Sequence, residues 1–194
     1  MKITPPKPKQ IMPEDADLKF KGKIFSLYQW QQKMYDNSLA TYERLKRADT
    51  VNIIPVIVNK KIIVTQQEQP ARVPFVGLAG GVVDPGEEIL AAAKRELLEE
   101  TGYEAKKYEL LHAAYPSDKI EWAVYTFIAK DCKKVAKQNL DAGEKIDLLF
   151  LNFDEFIELM YDENYRDTEV ALKILREIKT NKGREELKEM FGLS

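Results

Sequence analysis

The residues best suited to metal or phosphate chemistry lie together in the segment 81–103, GVVDPGEEILAAAKRELLEETGY. Five residues separate Gly81 from Glu87, and seven residues separate Glu87 from Arg95. Further carboxylates and a second glycine follow directly, at Glu96, Glu99, Glu100 and Gly102. Carboxylate oxygens are the ligands that a hard divalent cation such as Mg²⁺ prefers. The segment therefore predicts a divalent-metal site.

The same segment predicts a helix over residues 88–101, which are rich in the strong helix formers Ala and Leu. Gly102 stands where a left-handed residue would end that helix. At about 100° per residue, one side of the helix carries the carboxylates Glu96, Glu99 and Glu100. The adjacent core-facing stripe consists of Leu90, Ala93 and Leu97. Acidic runs on helices are usually solvated faces, but nine specified positions match by chance on the order of once in a billion placements.

At these residues the sequence resembles the Nudix hydrolase family, whose signature is G-x5-E-x7-R-E-U-x-E-E-x-G-U, where U is a bulky apolar residue. Every position is matched, with the aromatic Tyr103 at the last one, where an aliphatic residue is usual. The resemblance implies an α/β fold, namely an α/β/α sandwich with a mixed sheet. It also implies hydrolysis of a nucleoside diphosphate linked to another group, with Mg²⁺ or Mn²⁺ held against the diphosphate.

The resemblance assigns roles to individual residues of this segment. The implied metal ligands are Glu96 and Glu100, then Glu99, the carbonyl of Gly80, and Glu87 acting through water. Arg95 would hold the glutamates by charge-assisted hydrogen bonds, and it joins Glu99 among the implied catalytic residues. Gly81 and Gly102 would serve backbone conformation rather than chemistry.

A general base is expected outside the segment, because in the relatives it lies on a mobile loop late in the domain. The stretch 139–147 (NLDAGEKID), followed by LLFL and DEFIELM, resembles that loop and its flanks. Glu144 is the first candidate, as base or as an additional metal ligand. Asp141 in the same loop and Glu121 are the alternatives.

The run before the segment resembles the ADP-ribose and nucleotide-sugar pyrophosphatase branch of the family. That branch often has Arg before the Pro of this run, where this chain has Gln69 before Pro70. Arg72 is the candidate for a phosphate contact, because a guanidinium binds phosphate through two parallel hydrogen bonds. In the same branch an N-terminal strand region builds a homodimer and reaches the neighbouring site, so Tyr28 and Trp30 are candidates for stacking on a base. Packing in the core or dimer is the competing role for both aromatic residues.

Length and composition indicate a single domain. The chain has 194 residues, of which 44% are apolar and 32% charged, and its formal charge is −2, so neither nucleic acid nor a membrane is an expected partner. One Cys and one His are present, which excludes an intramolecular disulfide and a multi-histidine metal site. His112 is interpreted as structural or solvated. The N-terminus has no apolar signal-peptide segment, and a cytoplasmic location is expected.

The pattern along the chain predicts strands around one central helix. Residues 1–17 predict an extended or disordered tail, and residues 18–194 a single domain, with strands 18–48 in a dimer interface. Within the domain, Leu18 to Tyr35 predicts one strand, which forms an N-terminal β-hairpin or antiparallel pair with residues 40–47. Pro55 indicates an edge or a bulge in the strand around it. The other predicted strands are 40–47, 51–58, 62–65, 75–83, 108–114, 121–129 and 146–151. The other predicted helices are 153–160, 168–178 and 185–191.

Three alternatives compete with hydrolysis of ADP-ribose or a nucleotide sugar. Another nucleotide, such as a dinucleoside polyphosphate or a modified nucleoside triphosphate, is an alternative substrate. A Nudix-fold binding module without catalysis typically lacks carboxylates that are present here. An isoprenoid diphosphate isomerase of the same fold needs a placed cysteine, and the single Cys132 lies in the Lys-rich stretch AKDCKKVAK.

Overall fold

A computed structural model describes residues 3–8 and 10–193. The strands within these residues are β1 (Asp17–Lys21), β2 (Ser26–Lys33), β3 (Leu39–Lys46), β4 (Thr50–Ile57), β5 (Ile62–Glu68), β6 (Phe75–Gly77), β7 (Ala79–Val82), β8 (Tyr103–Glu104), β9 (Lys107–Ala114), β10 (Ile120–Glu121), β11 (Val124–Lys134) and β12 (Lys145–Leu151). The helices are α1 (Ile89–Thr101), α2 (Phe153–Leu159), α3 (Thr168–Glu177) and α4 (Asn181–Phe191). Across the described residues, no helix combines the length and apolar character needed to cross a bilayer.

The central sheet has the order β12-β5-β4-β11-β8, and β6, β7 and β9 pair with β5, β4 and β11 respectively. The pairing of β4 with β11 is parallel, whereas β4 pairs antiparallel with β5 and β7. Helix α1 packs on one face of this mixed sheet, and α2, α3 and α4 pack on the other. The predicted α/β/α sandwich is thereby confirmed.

Alternation along the central strands explains the two apolar layers. In β4, Val51 and Ile53 point to the α1 layer, while Ile54 and Val56 point to the layer of the other helices. Parallel and centrally placed strands are buried on both faces and read as continuous apolar runs. The run VNIIPVIV meets that requirement, which is why this segment forms the middle of the sheet.

Helix α1 begins and ends close to its predicted limits. Glu88 is the N-cap residue, and Gly102 is the C-cap in the left-handed conformation (φ 75°), with its N–H donating to the Leu98 carbonyl. Ala93 and Leu97 of the predicted stripe are buried in the α1 layer, and Leu90 packs against it. The helix therefore presents its acidic side away from that layer.

A separate four-stranded sheet forms the N-terminal part, in the order β1-β2-β3-β10. The predicted antiparallel pair is present as the hairpin of β2 and β3. The prediction of one strand from Leu18 to Tyr35 is wrong, because a turn closed by the Gly22 N–H and the Phe25 carbonyl (2.8 Å) divides it into β1 and β2. Strand β10 joins β3 in parallel and connects this sheet to the rest of the chain.

Of the tail predicted over residues 1–17, residues 1, 2 and 9 lie outside the described part of the chain. The described residues before β1 form neither strand nor helix. Ile3 packs against the apolar layer beneath α1. The guanidinium of Arg44, which is buried, donates to the carbonyl of Gln10. Both contacts hold this segment against the folded domain.

Pro55 does not mark an edge strand, so that part of the prediction is wrong. Strand β4 lies between β5 and β11. On one side of β4 the pairing with β7 ends at Ile53, and the pairing with β5 is at Val56. On the other side Pro55 pairs with Ala129, and β11 shifts register before Cys132. The missing N–H of Pro55 is accommodated where one partner strand replaces another and opposite a bulge, which agrees with the bulge interpretation.

Candidate active site

The Arg95 guanidinium joins the start of the acidic segment to its helical part. Its Nε and Nη2 donate to the two carboxylate oxygens of Glu87, both at 3.0 Å. Its Nη1 donates to Glu96 at 2.7 Å and to Glu99 at 3.1 Å, and Nη2 also donates to the Val82 carbonyl at 3.0 Å. The loop before α1 is therefore fixed to α1 by one side chain.

Glu100 has a different environment from the other carboxylates of α1. Only 4% of its surface is exposed, and its Oε2 accepts a hydrogen bond from the Gly80 N–H at 2.9 Å. No Lys, Arg or His among the described residues forms an ion pair with it within 4 Å. Burial raises the pKa of Glu100 to about 8, and the negative charges of Glu96 and Glu144 act in the same direction. Glu100 is thus a buried carboxylate without an ion-pair partner among the described residues.

Two glycines of β7 let this strand fit closely between α1 and β4. A Cβ at Gly81 would lie 2.3 Å from Oε1 of Glu96. A Cβ at Gly80, whose φ is 154°, would lie 2.0 Å from the carbonyl oxygen of Val51 on β4. Neither position has room for a side chain. The missing side chain of Gly81 leaves space for the Glu96 carboxylate, whereas that of Gly80 lets β7 approach the β4 backbone.

The loop that carries the candidate base is attached to the C-terminal end of α1. Gln138 Nε2 donates to the Glu100 carbonyl at 2.7 Å and to the Ile146 carbonyl at 3.0 Å. The Asn139 N–H donates to the Glu99 carbonyl at 2.8 Å. These contacts place Glu144 so that its charge raises the pKa of both Glu96 and Glu100.

A cavity of about 630 Å³ lies beside these groups. Gly80, Gly81 and Glu144 are at the end nearest α1, and the lining extends over β4, β9, β11 and the start of α3. Three arginines line it. The guanidinium carbons of Arg72 and Arg166 lie 4.2 and 4.7 Å from the centroid of the Phe75 ring, and that of Arg47 lies 4.8 Å from the centroid of the Trp122 ring. The positive charge of Arg166 also lowers the pKa of Glu100. The cavity thus combines the Glu144 carboxylate, at the end nearest α1, with three cationic side chains that suit a phosphate-containing ligand.

Asp167, at the start of α3, holds the wall of this cavity together. Its carboxylate accepts hydrogen bonds from the Leu78 N–H at 2.7 Å and from Asn52 Nδ2 at 3.1 Å. Its Oδ1 lies 3.6 Å from Nε of Arg166. One carboxylate thereby connects β4, the β6–β7 junction and α3.

The remaining candidate residues are distributed unevenly around the cavity. Asp141 is exposed, lies in the same loop as Glu144 and does not line the cavity. Glu121 instead forms an ion pair with Lys46, at 2.9 Å, in the N-terminal sheet. Tyr28 and Trp30 lie on β2 and do not line the cavity. Trp30 is buried against Tyr42, with ring centroids 5.9 Å apart.

The single histidine and the single cysteine of the chain differ in solvent exposure. His112 is half-buried and lines the cavity. Cys132 is fully buried, its Sγ contacts the Ala129 carbonyl at 3.1 Å, and burial raises the pKa of its thiol to about 12. A buried and protonated thiol outside the cavity does not suit the isomerase alternative.

The residues around Glu100 fit a divalent cation in chemistry, although their side chains are not gathered as ligands in this conformation. Within the described residues, no three His, Cys, Asp or Glu side chains form a group ready to hold a metal ion. The reason is local: Arg95 binds Glu96 and Glu99, while Glu100 turns to Gly80. The fit rests on the buried Glu100 carboxyl group, which has no ion-pair partner among the described residues, and on the space that Gly81 leaves at Glu96. All of these donors are oxygens, which suits Mg²⁺ or Mn²⁺.

The NUDIX domain model matches residues 46–172, which is more than half of the chain. The chain belongs to the Nudix family. It is 28% identical over 158 residues to the ADP-ribose pyrophosphatase of Bacillus subtilis (strain 168), covering 80% of this chain and 85% of that protein. It is 25% identical to the methanol dehydrogenase activator of Bacillus methanolicus over the same coverage.

A solved structure described as an ADP compounds hydrolase shares the fold, with a TM-score of 0.71, 18% identity and full coverage of both chains. The resemblance seen in the acidic segment is thus confirmed as family membership, and the protein is a Nudix hydrolase. Residues 46–172 include β4 to β12 and the start of α3, so the match contains every wall of the cavity.

Sequence reasoning missed several residues that build this Nudix site. Gln138, Arg166 and Asp167 belong to no part of the signature and lie far from it along the chain. A signal was present at one of them: Asp167 directly precedes Thr168 and an apolar helical pattern, a position typical of a helix start. Its contacts with Asn52 and Leu78, however, depend on how the sheet and α3 pack.

Proposed function

We propose that this Nudix hydrolase cleaves the diphosphate of ADP-ribose or a nucleotide sugar, releasing a nucleoside monophosphate and a sugar phosphate, with Mg²⁺ or Mn²⁺ as cofactor. The observation that carries the proposal is the buried Glu100, whose carboxylate accepts from the N–H of Gly80 at the edge of a cavity that three arginines also line. The names of the ADP-ribose pyrophosphatase and of the ADP compounds hydrolase support this substrate class.

In this proposal the residues of α1 and β7 hold the metal. Glu96 and Glu100 are the principal ligands, assisted by Glu99, the Gly80 carbonyl and Glu87 through water. A bound divalent ion supplies charge neutralisation and polarisation of the phosphate oxygens. Arg95 keeps Glu87, Glu96 and Glu99 oriented through its hydrogen bonds.

Glu144 is the proposed general base. It lines the cavity and lies close enough to the α1 carboxylates to influence their pKa. Its carboxylate would accept a proton from the attacking water, the new P–O bond would form, and the bridging P–O bond would break. Asp141 instead supports the turn, since its carbonyl accepts from the Glu144 N–H at 2.9 Å.

Arg72 and Arg166 are the proposed phosphate contacts. Both guanidinium groups stack on Phe75 and line the cavity. A planar guanidinium presents several donors that match phosphate oxygens. Arg72 thus takes a place comparable to that of the arginine expected at Gln69.

We further propose a homodimer formed through the N-terminal sheet. Strand β1 is an edge strand whose five residues are all exposed. Phe20 on it is 64% exposed, and Leu18 and Ile24 nearby are exposed as well. An edge strand with exposed apolar side chains is a template for pairing with another chain. In such a dimer Tyr28 is the proposed contact to the substrate of the neighbouring copy, while Trp30, which is buried against Tyr42, packs within the sheet. A cytoplasmic location stays our expectation.

The substitution Glu100→Gln tests the function. Gln keeps the size and still accepts from the Gly80 N–H, but it removes the charge that a metal needs. We expect the fold to persist and turnover of ADP-ribose with Mg²⁺ to fall about 10³-fold, because metal stabilisation of the transition state is worth several kcal/mol. Product analysis by chromatography measures turnover, and a thermal-unfolding scan measures the fold.

The matched control is Glu158→Gln, an exposed glutamate on α2 outside the cavity. It should retain wild-type turnover. Wild-type protein that releases no monophosphate from ADP-ribose or nucleotide sugars, or a Glu100→Gln variant with undiminished turnover, would contradict the proposal.

A further inference from the structure

The floor of the cavity is one face of three paired strands. Across it, Asn52 of β4 pairs with Thr126 of β11, and Thr126 pairs with His112 of β9. On the other side of Asn52 the partner is Gly80 of β7, whose N–H binds Glu100. Asn52, Thr126 and His112, which we call the polar row, all line the cavity. The polar row therefore extends away from the end of the cavity nearest α1, where we propose that the metal binds; we call this the metal end.

The polar row has unused hydrogen-bonding capacity. Thr126 is 1% exposed, and its hydroxyl has no hydrogen-bond partner among the described residues. A buried polar group left without a partner costs about 1–3 kcal/mol. Asn52 donates through its amide nitrogen to Asp167, and within the described part of the chain its amide oxygen accepts no bond from a side chain. This cost is recovered when a ligand supplies the partner.

The groups of the row suit hydroxyl groups rather than phosphates. A hydroxyl both donates and accepts, as do the Thr126 hydroxyl and a neutral imidazole. Burial and the nearby charge of Lys173 lower the pKa of His112, which keeps its ring neutral at pH 7. No residue of the row carries a positive charge at that pH, whereas the three arginines that line the cavity, Arg47, Arg72 and Arg166, lie outside the row. Phosphate is thus drawn to the arginines and the metal end, and uncharged polar groups to the row.

Distance along the sheet also matches a sugar linked to phosphate. Neighbouring strands lie about 4.8 Å apart, so Thr126, two strands from Gly80, lies about 10 Å from it. A pentose attached to a phosphate at the metal end reaches over Asn52 and Thr126. A longer group would continue past His112 to the opposite end, where Trp122 and Pro116 line the cavity.

We propose that the polar row binds the sugar of the substrate's sugar-phosphate half, with the Thr126 hydroxyl hydrogen-bonded to a ring hydroxyl of a pentose. The proposal rests on the proposed function for the position of the phosphate, and it adds the residues that select the group beyond it.

Isothermal titration with ribose 5-phosphate, 2-deoxyribose 5-phosphate and inorganic phosphate tests the row directly. The variant is Thr126→Val, which keeps the β-branched shape suited to a strand and removes the hydroxyl; Thr126→Ser restores it. We expect Thr126→Val to weaken ribose 5-phosphate binding about tenfold, the effect of one hydrogen bond to a buried group. Thr126→Ser should recover most of that loss, and inorganic phosphate should bind all three proteins equally. The deoxy sugar shows whether the 2-hydroxyl is the group contacted.

Three results would overturn the proposal: ribose 5-phosphate binding wild-type protein no better than inorganic phosphate, Thr126→Val binding it as wild type does, or an equal loss for both ligands. If Thr126→Val does not fold, His112→Leu replaces it, with the same selective loss expected. Failure of the proposed function is a separate result, because it is read from hydrolysis by wild-type protein. If the wild-type protein hydrolyses none of the nucleotide sugars but Thr126→Val loses ribose 5-phosphate binding, the proposed function fails. The proposal that the polar row binds a sugar is then still supported.

Discussion

The Arg95 guanidinium uses all five of its N–H donors within the acidic segment. Two go to Glu87, one each to Glu96 and Glu99, and one to the Val82 carbonyl. These hydrogen bonds, with Glu87 first among them, hold the pKa of Arg95 well above its usual range. The side chain therefore acts as a fixed cation that orients carboxylates, which explains why an arginine is required there.

Replacing Arg95 by Lys tests this role. Lysine keeps one positive charge but offers a compact ammonium with three donors and no planar fork. We expect kcat/KM to fall about 10- to 100-fold, as is typical when a group that orients metal ligands is lost, and the Mg²⁺ concentration for half-maximal activity to rise. Steady-state kinetics across Mg²⁺ concentrations measures both. Arg176→Lys, at the exposed end of α3, is the matched control, and wild-type kinetics in Arg95→Lys would remove the orienting role.

At the scale of residues, the sequence predicts what is encoded within one helical segment. The spacing from Gly81 to Gly102 gives the side of α1 on which the carboxylates stand and the residue at which the helix ends. It does not predict that Arg95 draws Glu99 away from Glu100, because that depends on side-chain conformations. Nor does it predict that Thr126 and Arg166 line the cavity, because they come together there only when distant strands and loops pack.

The C-terminal end of α1 anchors the loop that bears Glu144. The Gly102 carbonyl accepts from the N–H groups of Val135 and Ala136, at 2.9 and 3.1 Å. Gln138 then bridges the Glu100 carbonyl to β12. The last carbonyls of a helix have no partners within the helix, and here the loop supplies them. The proposed metal ligands and the proposed base are thereby carried by connected elements.

Gln138→Ala tests this connection between elements. Removing its amide leaves two carbonyls without their donors, so we expect a loss of about 1–3 kcal/mol in unfolding free energy. A looser loop should lower kcat about tenfold, as expected for displaced positioning groups, with a smaller change in KM. Urea unfolding and hydrogen exchange of residues 139–144 measure the two effects. Lys137→Ala, an exposed neighbour, should change neither; unaltered exchange in Gln138→Ala would show that the loop is held otherwise.

Elements themselves are largely predictable from this sequence, and their partners are not. Hydrophobic pattern and caps located most strands and all four described helices, because these signals are local. Pro55 shows the limit: its missing N–H is a local fact, but whether a strand with such a residue is central depends on where β7 gives way to β5. Likewise, Gly22 marks a turn only once β1 pairs back on β2.

At the scale of the whole molecule, the two faces of the central sheet differ in polarity near the site. The α1 face is apolar beneath the helix. The carboxylates of Glu96 and Glu100 approach β7 at Gly81 and Gly80 respectively. The opposite face is apolar under α2 and α4 but polar at the cavity, where Asn52 and Thr126 replace aliphatic residues. The proposed metal ligands and the proposed sugar site thus lie on either side of one glycine-containing strand, β7.

The N-terminal sheet has exposed apolar side chains at its edge strand β1, where we propose the homodimer interface. The substitution Phe20→Glu tests this interface. A charge on β1 should oppose burial of that edge against a second copy. We expect wild-type protein to scatter light as twice the 22.4 kDa chain and Phe20→Glu to scatter as one chain, with a raised KM because Tyr28 no longer reaches a neighbouring site. Val58→Glu places the same charge at another exposed apolar position, after β4, and should stay dimeric. Monomeric wild-type protein, or a dimer that survives Phe20→Glu, would exclude this interface.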